Sequence, residues 1–344
     1  MVFRSIFKNW REFHFQDFQT YFAAQDRKPI WQQVREAGSL FWLYRHVPTQ
    51  YLKSGLYQLN AHDDIHSHVP PRMIWRLQAG LNPPEARIFA RDKQRFRVKM
   101  EEAGVPFVRE VLIVDREGVI HDADGVVLDI DSAISRLQNG DFFVKPVDGI
   151  KGRNARLFGP HDDAEDFLTS ARNVIVQPRI RQHGLLGKLY PHSVNTVRID
   201  TLCDGENWTH NAAVLKLGQG GGIVDNRSAI GLVIGVDLET GALHPPARAK
   251  TPRGIATYYQ HPDTGTTFSG VVLPHWKLLR ETVMHAAKVM LPLKSLGWDV
   301  AITEDGVLLV EANDNWGVNI LQSGYGGLAN TSIGQMALRG RRCT

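Results

Sequence analysis

Three oxygen-bearing side chains lie close together near the end of the chain, in the segment GWDVAITEDGVLLVEANDNWGVN. Asp299, Glu311 and Asn313 interrupt what is otherwise the apolar pattern of a β-hairpin. Between them, Glu304-Asp305-Gly306 is typical of a three-residue hairpin loop with glycine at its left-handed position. That loop predicts the strand pairs Thr303–Val307, Ala301–Leu309 and Asp299–Glu311, with Asn313 two residues further on the same face.

Two carboxylates directly opposite each other on a sheet repel, so this hairpin needs a compensating positive charge. Carboxylate and amide oxygens suit Mg²⁺, which also keeps waters and substrate phosphates as ligands. We therefore expect Mg²⁺ bound by Asp299, Glu311 and Asn313. The alternative is a pair of ordinary edge carboxylates, with an arginine neutralising Glu311. A two-residue loop would also shift the register and separate Asp299 from Glu311.

A second group of residues has the chemistry of a phosphate site. Lys145 is the polar residue of the strand pattern FFVKP, and the loop VDGIKGRN follows it. Glycine lets backbone amides approach a phosphate and cations neutralise it, which makes candidates of Gly149, Lys151, Gly152 and Arg153. The loop is neither a Walker A motif nor a Rossmann GxGxxG. A lysine in a strand can also extend to solvent, so the interpretation depends on Lys145 and the loop together.

Further cations lie before and after this loop. Lys93 belongs to a basic span from Arg87 to Lys99, for which a charged helix face is the alternative. Arg198 interrupts the apolar strand NTVRIDTL and must point at water, a carboxylate or a phosphate. Arg227 follows Asn226 at the mouth of a predicted strand, where a loop residue can reach a ligand.

The segments that position these residues follow two patterns. Residues 1–82 carry aromatic residues at helical spacing, broken by Pro and Gly, which predicts a helical section. Such an aromatic stripe is typical of a core or docking face and, less often, of a helix that touches a membrane. From residue 83 helices and strands alternate: a helix capped by Asp92, strands FVREVLIV, VIH, FFVKP and VIVQP, β segments Val194 to Cys203 and Trp208 to Leu217, and a helix from His275 to Met290.

Composition narrows the classes of function. The 344 residues suffice for two or three structural units, and 43% hydrophobic with 22% charged residues is typical of a globular protein. A net charge of +4 suits an anionic ligand but is too small to indicate nucleic acid. Two cysteines without metal or disulfide spacing, no long apolar window and no secretory leader predict a cytoplasmic protein. The tract AHDDIHSHVP better fits a solvated loop than a zinc site.

The order of these pieces resembles the ATP-grasp superfamily and, in detail, the sugar-transfer-associated ATP-grasp proteins. The stretches that carry the resemblance are NTVRIDTL, GGGIVDNRSAIGLVIGVD, HPDTG and GWDVAITEDGVLLVEAN. It implies an α/β (α+β) fold of ATP-grasp type, in which two α+β lobes clasp ATP beside the helical N-terminal section. The implied boundaries are 1–82 for that section, 83–178 for the lobe with the phosphate loop and 179–344 for the lobe with the magnesium site.

The resemblance also implies a role for each candidate residue. Adenine would lie against the hinge residues Gln177, Arg179 and Ile180, although glutamate is frequent where this chain has Gln177. Phosphates would meet Lys93, Lys145 and the closing loop, which has fewer glycines than many relatives. Arg198 and Arg227 would stabilise the transferred phosphoryl group. The second substrate would lie near Asn226, His261, Asp263 and Gln322, with an ordinary β-turn as the equal alternative for the HPDTG segment.

Proteins that resemble this one join a carboxylate to an amine through an acyl-phosphate and release ADP and phosphate. The expected cofactors are ATP and Mg²⁺, and the expected partners are small-molecule carboxylate and amine substrates, without nucleic acid or stable membrane insertion. A homodimer is left open. Two alternatives remain: a small-molecule kinase on the same fold, and a nucleotide-binding scaffold that docks a partner through its aromatic section.

Overall fold

The computed structural model describes residues 15–61, 64–138, 140–147, 154–205, 207–223 and 231–340. Its α-helices are α1 Phe15–Ala23, α2 Ile30–Tyr44, α3 Thr49–Lys53, α4 Pro71–Leu81, α5 Ile88–Arg91, α6 Lys93–Glu102, α7 Ile130–Leu137, α8 Ala164–Ser170, α9 Gly184–Leu189, α10 Trp276–Val289, α11 Val318–Gly324 and α12 Ser332–Gly340. Short 3₁₀ turns cover Ile65–Ser67 and Pro84–Ala86. None of the helices in these ranges is long and apolar enough to cross a membrane.

The strands form two separate sheets. They are β1 Leu112–Val114, β2 Ile120–Asp122, β3 Phe142–Pro146, β4 Arg156–Phe158, β5 Val174–Pro178, β6 Thr196–Cys203, β7 Trp208–Thr209, β8 Ala213–Leu217, β9 Leu232–Val236, β10 Leu243–Thr251, β11 Gly254–Tyr258, β12 Ser295–Ile302 and β13 Val307–Asn313. The smaller sheet has the order β2-β1-β5-β3-β4, and the larger has the order β11-β10-β9-β8-β6-β12-β13 with β7 paired to β6. All of these strand pairs are antiparallel. Mixed α and β structure with a helical N-terminal section confirms the predicted fold class.

A proline directly precedes each of the two longest helices of the helical section. Pro29 precedes α2 and Pro70 precedes α4, because proline lacks the N–H that a first helical turn leaves unpaired. Leu40, Tyr44, Tyr51, Leu56 and Tyr57 form its small core. The AHDDIHSHVP tract is not the solvated loop that we expected, because His68 is fully buried and Ile65–Ser67 is helical.

The larger sheet separates two chemically different faces. On one face, Val197, Ile199, Trp298 and Val300 belong to an apolar core that also contains Leu279 of α10. Neighbouring residues in a strand point to opposite sides, so Arg198 and Asp299 lie on the other face, where they also pair in register. Gly297 lies on that face too, where an added Cβ would come within 2.5 Å of the Trp316 Cβ. Glycine there allows the chain beyond β13 to pack directly on the sheet.

The hairpin of β12 and β13 has the predicted pairing of Asp299 with Glu311 but a different loop. Asp299 lies opposite Glu311, as predicted. However, Ile302 pairs with Val307 and Ala301 with Leu308, so the loop has four residues rather than three. A β-bulge between Leu309 and Glu311 adds the residue that restores the pairing. The predicted loop was wrong, and a bulge invisible in the sequence pattern compensated for it.

Two predicted strands are interrupted for a physical reason. The N–H groups of Asn211 and Ala212 bind the Asp200 carboxylate, which splits the predicted segment Trp208 to Leu217 into β7 and β8.

The predicted strand FVREVLIV contacts both sheets. At its start, Leu309 N donates to Pro106 O and Val108 N donates to Leu309 O, so Phe107 forms an isolated bridge with β13 of the larger sheet. Its second half, Leu112–Val114, belongs to the smaller sheet. This segment is therefore a covalent link between the two sheets.

Candidate active site

A cleft of about 290 Å³ opens where the two sheets meet the start of α6. Its lining includes five residues that the sequence predicted to bind ATP or metal, namely Lys93, Lys145, Gln177, Glu311 and Asn313. They come from α6, β3, β5 and β13, which are far apart in sequence. The link segment contributes Phe107, Val108 and Glu110 to the same wall.

The floor of the cleft is the end of β13. Asn313 Nδ2 donates to Glu311 Oε1 at 3.1 Å, and 53% of the Glu311 side chain is accessible. The walls of the cleft partly desolvate the Glu311 carboxylate and Asp299 adds a neighbouring negative charge, so its pKa is raised. Glu311 and Asn313 therefore present two oxygen-bearing groups to the cleft.

Asp299 lies behind that floor with its own positive partners. Arg198 binds it through two hydrogen bonds of 2.7 Å each, and Lys216 Nζ lies 3.1 Å from Asp299 Oδ1. Burial would raise the pKa of Asp299, but these two cations hold it well below its usual range. Arg198 therefore points at a carboxylate, one of the three partners that the sequence allowed for it. Arg198 also reaches Glu311, at 3.9 Å.

Lys145 enters the cleft from the smaller sheet. Burial lowers the pKa of its ammonium group, and the carboxylates of Glu311 and Glu110 oppose that shift. Beside it, Gln177 Nε2 donates to Glu110 Oε1 at 3.3 Å and to Val108 O at 3.4 Å. A lysine placed between two sheets and near two carboxylates is suited to bind an anion with bound metal.

The start of α6 forms a third wall. Asp92 caps the helix by accepting the Arg95 N–H at 2.9 Å, which fixes the first turn, where Lys93 lies. Arg91, the last residue of α5, binds Asp314 through hydrogen bonds of 3.0 and 2.8 Å. This bidentate pair ties the end of α5, which directly precedes α6, to the residue that follows Asn313.

Other predicted residues do not line the cleft. Gln322 is fully buried and exchanges hydrogen bonds with the backbone of Val69. Arg179 and Ile180 follow β5, and the Arg179 N–H donates to Asp141 O. The predicted residues Gly149, Lys151, Gly152, Arg153, Asn226 and Arg227 lie outside the described part of the chain.

The HPDTG segment holds a glycine-rich arm, residues 218–222. His261 Nε2 lies 2.8 Å from Gly218 O, and Asp263 Oδ2 accepts the Gly220 N–H at 2.6 Å. The His261 ring stacks on Tyr190, whose hydroxyl donates to Gly222 O at 3.0 Å. The turn is therefore more than a chain reversal, because it anchors the arm that leads to Asn226 and Arg227.

Sequence reasoning missed Lys216, Glu110 and the Arg91–Asp314 pair. Lys216 had a usable pattern, since it is the polar residue inside the apolar strand AVLKL, as Lys145 is in FFVKP. Glu110 and Asp314 had none, because Glu110 is one of two adjacent charges in FVREVLIV and Asp314 is one of several polar residues after β13.

The donor set suits a magnesium–phosphate complex better than a metal cage made by protein alone. The described residues contain no cluster of three or more His, Cys, Asp or Glu arranged to bind a metal ion. Mg²⁺ commonly takes one or two carboxylates and completes its shell with waters and substrate phosphates. Glu311 and Asn313 meet that requirement at the cleft surface.

Comparison with known proteins finds a matching family model and similar solved structures. Residues 166–334 match the family model described as sugar-transfer associated ATP-grasp. Among solved structures, the chain is similar to the ATP-grasp ligase PsnB complexed with minimal precursor, Mg and ADP, at 15% identity over 77% of this chain and 62% of that chain, with a TM-score of 0.43. It is also similar to D-alanyl-alanine synthetase A from Vibrio cholerae, at 10% identity over 80% of this chain and 75% of that chain, with a TM-score of 0.47.

The chain spans less than two thirds of the length of PsnB. No curated protein matches it. The family match covers the larger sheet from β6 to β13, together with helices α9 to α11 and the Asp299–Glu311 hairpin. The resemblance predicted from the motifs is thereby confirmed over residues 166–334, just under half of the chain, which match the model of the sugar-transfer associated ATP-grasp family.

Proposed function

We propose that the protein is an ATP- and Mg²⁺-dependent ligase that joins a small-molecule carboxylate to an amine. The observation that carries this proposal is the cleft, in which Lys93, Lys145, Gln177, Glu311 and Asn313 meet from four separate elements. The lining combines the cations Arg91, Lys93 and Lys145 with oxygen-bearing side chains that include Glu311 and Asn313, which suits a triphosphate with bound metal. A cytoplasmic site of action, where ATP is available, is part of the same proposal.

We assign the metal to Glu311 and Asn313. Mg²⁺ bound there would neutralise charge on the phosphates. Asp299 was predicted as a third ligand, but both of its oxygens are engaged by Arg198 or Lys216. Because these contacts already compensate its charge, we propose that the main task of Asp299 is to hold Arg198 against the floor of the cleft, 3.9 Å from Glu311.

The cations have distinct tasks in this proposal. Lys93 and Lys145 bind phosphate oxygens from two walls, and Gln177 orients the base of the nucleotide through its amide. Arg198 stabilises the phosphoryl group that is transferred, because it lies directly beneath the carboxylate of Glu311. Arg227 was predicted to share this task, and its anchored arm begins at Gly218.

The reaction consists of two substitutions. An oxygen of the substrate carboxylate attacks the γ-phosphorus in line, the bond to the β–γ bridging oxygen breaks, and ADP leaves. The nitrogen of the amine then attacks the acyl carbon, loses a proton and displaces phosphate, which leaves an amide. The protein contributes position and charge stabilisation more than covalent chemistry.

Phosphorus NMR tests this proposal directly. The full chain is incubated with ATP, Mg²⁺ and a cell metabolite extract, and ADP formation is followed together with the fate of the γ-phosphate. Free phosphate that depends on a dialysable substrate supports a ligase. Phosphate retained on an organic product would instead identify a kinase and overturn the acyl-phosphate step.

A matched pair of variants tests the metal assignment. Glu311→Ala should lower Mg²⁺-dependent turnover by about a hundredfold or more and leave thermal unfolding unchanged. Glu281→Ala removes a similarly exposed carboxylate on α10, 64% accessible, and should leave turnover as it is. Equal turnover in the two variants would refute the metal site.

A further inference from the structure

Exposed apolar side chains are concentrated in the helical N-terminal section. Nine large apolar side chains of the described residues are more than 60% accessible, and seven of them lie in residues 15–61. These are Phe15, Phe22, Ile30, Trp31, Val34, Trp42 and Leu59. Exposing so many large side chains in one short segment marks a contact surface.

On helix α2 these side chains form a stripe. Trp31, Val34 and Trp42 recur at helical spacing on one face, and Gly38 continues that face between them. Gln33, Leu40 and Tyr44 occupy the opposite face and are buried against the rest of the section. With a rise of about 1.5 Å per residue, the two tryptophans lie roughly 16 Å apart along the helix. The helix therefore presents a long, flat apolar edge to its surroundings.

Arginines accompany the exposed rings. The Arg35 guanidinium lies over the Trp31 ring at 5.4 Å, and the Arg45 guanidinium lies over the Trp42 ring at 4.5 Å. Each pair puts a cation and an indole ring at the same position on the outer face. The stripe is thus both apolar and positively charged.

The three acidic residues of the stretch 15–61 are bound by other groups. Asp17 is buried and accepts from Lys250 Nζ at 2.7 Å, and Asp26 accepts from the buried Gln58. Glu36 is bound by Lys28 and by the Tyr51 hydroxyl. Within this described stretch, the carboxylates are thus engaged away from the two arginine–tryptophan pairs, and the outer face of α2 presents Arg35 and Arg45.

We propose that this face, Trp31–Arg35–Trp42–Arg45 with Val34, docks the protein on an anionic lipid bilayer. Indole rings favour the boundary between acyl chains and headgroups, and arginine beside them meets lipid phosphate. The fourteen residues that precede the described part have a similar composition, with Phe3, Phe7 and Trp10 interspersed with Arg4, Lys8 and Arg11. Positive charge and exposed aromatic rings together favour an anionic membrane over a neutral apolar partner.

Vesicle sedimentation tests the proposal with the full chain. Neutral phosphatidylcholine vesicles are compared with vesicles in which about a third of the lipid is anionic phosphatidylglycerol. We expect binding to the anionic vesicles and little to the neutral ones, and a marked loss of binding from ~50 to ~500 mM salt. No binding to anionic vesicles, or equal binding to both, would overturn the proposal.

Two variants and two controls locate the surface. Arg35→Glu with Arg45→Glu should weaken partitioning by about thirtyfold. Trp31→Ser with Trp42→Ser should abolish it, while thermal unfolding stays unchanged because both rings are exposed. The charge control is Lys277→Glu with Lys288→Glu on α10, and the apolar control is Val127→Ser with Tyr259→Ser, which remove side chains 62% and 69% accessible. Both controls should bind like the wild type.

Other occupants of this face give different results. If a second copy covers it, the tryptophan variant changes the molar mass in solution, and the wild type does not bind vesicles. If residues 1–14 cover it, vesicle binding appears when those residues are deleted and is absent from the full chain. Either result would replace the lipid surface with another occupant.

Discussion

The two faces of the larger sheet are built from the same strands, but one buries apolar side chains and the other buries charged ones. One face carries Val197, Ile199 and Trp298 in a continuous apolar core under helix α10. The other carries Arg198, Lys216 and Asp299, which are almost equally inaccessible to solvent. Burying apolar groups needs close packing alone, whereas burying charges requires partners placed within hydrogen-bonding distance.

That difference explains why the candidate site lies where it does. A buried charge is held in position by the opposite charges that bind it. A charged group of a ligand can nevertheless replace one of those opposite charges. Asp299 is bound by Arg198 and Lys216, and the neighbouring Glu311 lines the cleft. The apolar face offers no such exchange, so it stabilises the sheet on which the polar face is built.

Removing a charge from the buried group Arg198, Lys216 and Asp299 should have the largest effect on stability and turnover. Among the ion pairs of the described residues, Arg198→Met leaves the buried Asp299 carboxylate with Lys216 alone, so the unfolding free energy should fall by about 4 kcal/mol. ATP turnover should also be lost, because the same arginine lies beneath the cleft. Urea unfolding and phosphate release measure the two effects.

A double replacement separates the two roles of Arg198. With Arg198→Met and Asp299→Leu together, the carboxylate is removed along with its arginine and part of the stability should return; the return is partial because the buried Lys216 loses its ion pair with Asp299. Turnover should not return, since the cation is still missing. Recovery of turnover in the double variant would contradict a role for Arg198 in the reaction.

The apolar face should respond in the opposite way. Leu279→Ala on α10 leaves a cavity in the fully buried core and should lower the unfolding free energy by about 3.5 kcal/mol. At a temperature where the variant stays folded, its turnover should equal that of the wild type. A large loss of turnover in the folded variant would mean that the two faces are not independent.

Alternation in the sequence made this architecture predictable in part. In NTVRIDTL, apolar and polar residues alternate, which placed Arg198 on a face opposite to Val197 and Ile199. The helices from Asp92 and from Trp276, and the strands FFVKP and VIVQP, also followed from periodicity and capping residues. The pairing of Asp299 with Glu311 was correct, although the bulge that produces it leaves no mark in the sequence.

Contacts between distant segments were not predictable. Nothing local indicates that Asp200 takes the N–H groups of Asn211 and Ala212 and splits a strand. The same holds for Arg91 and Asp314, which are 223 residues apart. Burial of Gln322 against Val69 likewise depends on how α11 packs, which no single sequence window contains.

Asp200 sharpens the comparison, since it is a buried carboxylate on the polar face that is bound by N–H groups rather than cations. Its complete burial outweighs these hydrogen bonds and raises its pKa to about 6. The folded protein therefore holds this proton at a pH where the unfolded chain has lost it. The stability it contributes is fully present below about pH 4 and is lost as the pH rises through 6.

The measurement is a difference between two stability curves. The unfolding free energy of the wild type minus that of Asp200→Asn should fall by about 2.5 kcal/mol between pH 4 and pH 7, since each pKa unit corresponds to about 1.4 kcal/mol and the loss begins just below pH 4. The subtraction removes the contribution of other carboxylates, including Asp299, whose lowered pKa acts in the opposite direction. A difference that stays flat over this range would show that Asp200 titrates normally.

The smallest effect is expected from the cap of α6, which positions Lys93 at the cleft. Asp92→Ala removes the cap of α6 and should cost about 1 kcal/mol of stability. Asp163→Ala removes a similar cap from α8, where the side chain accepts the Asp166 N–H at 3.0 Å, and should cost the same. The first variant should raise the KM for ATP severalfold, because Lys93 occupies the first turn of the loosened helix and lines the cleft. The Asp163→Ala variant should leave the KM for ATP unchanged. Equal KM values in the two variants would contradict a role for Lys93 in ATP binding.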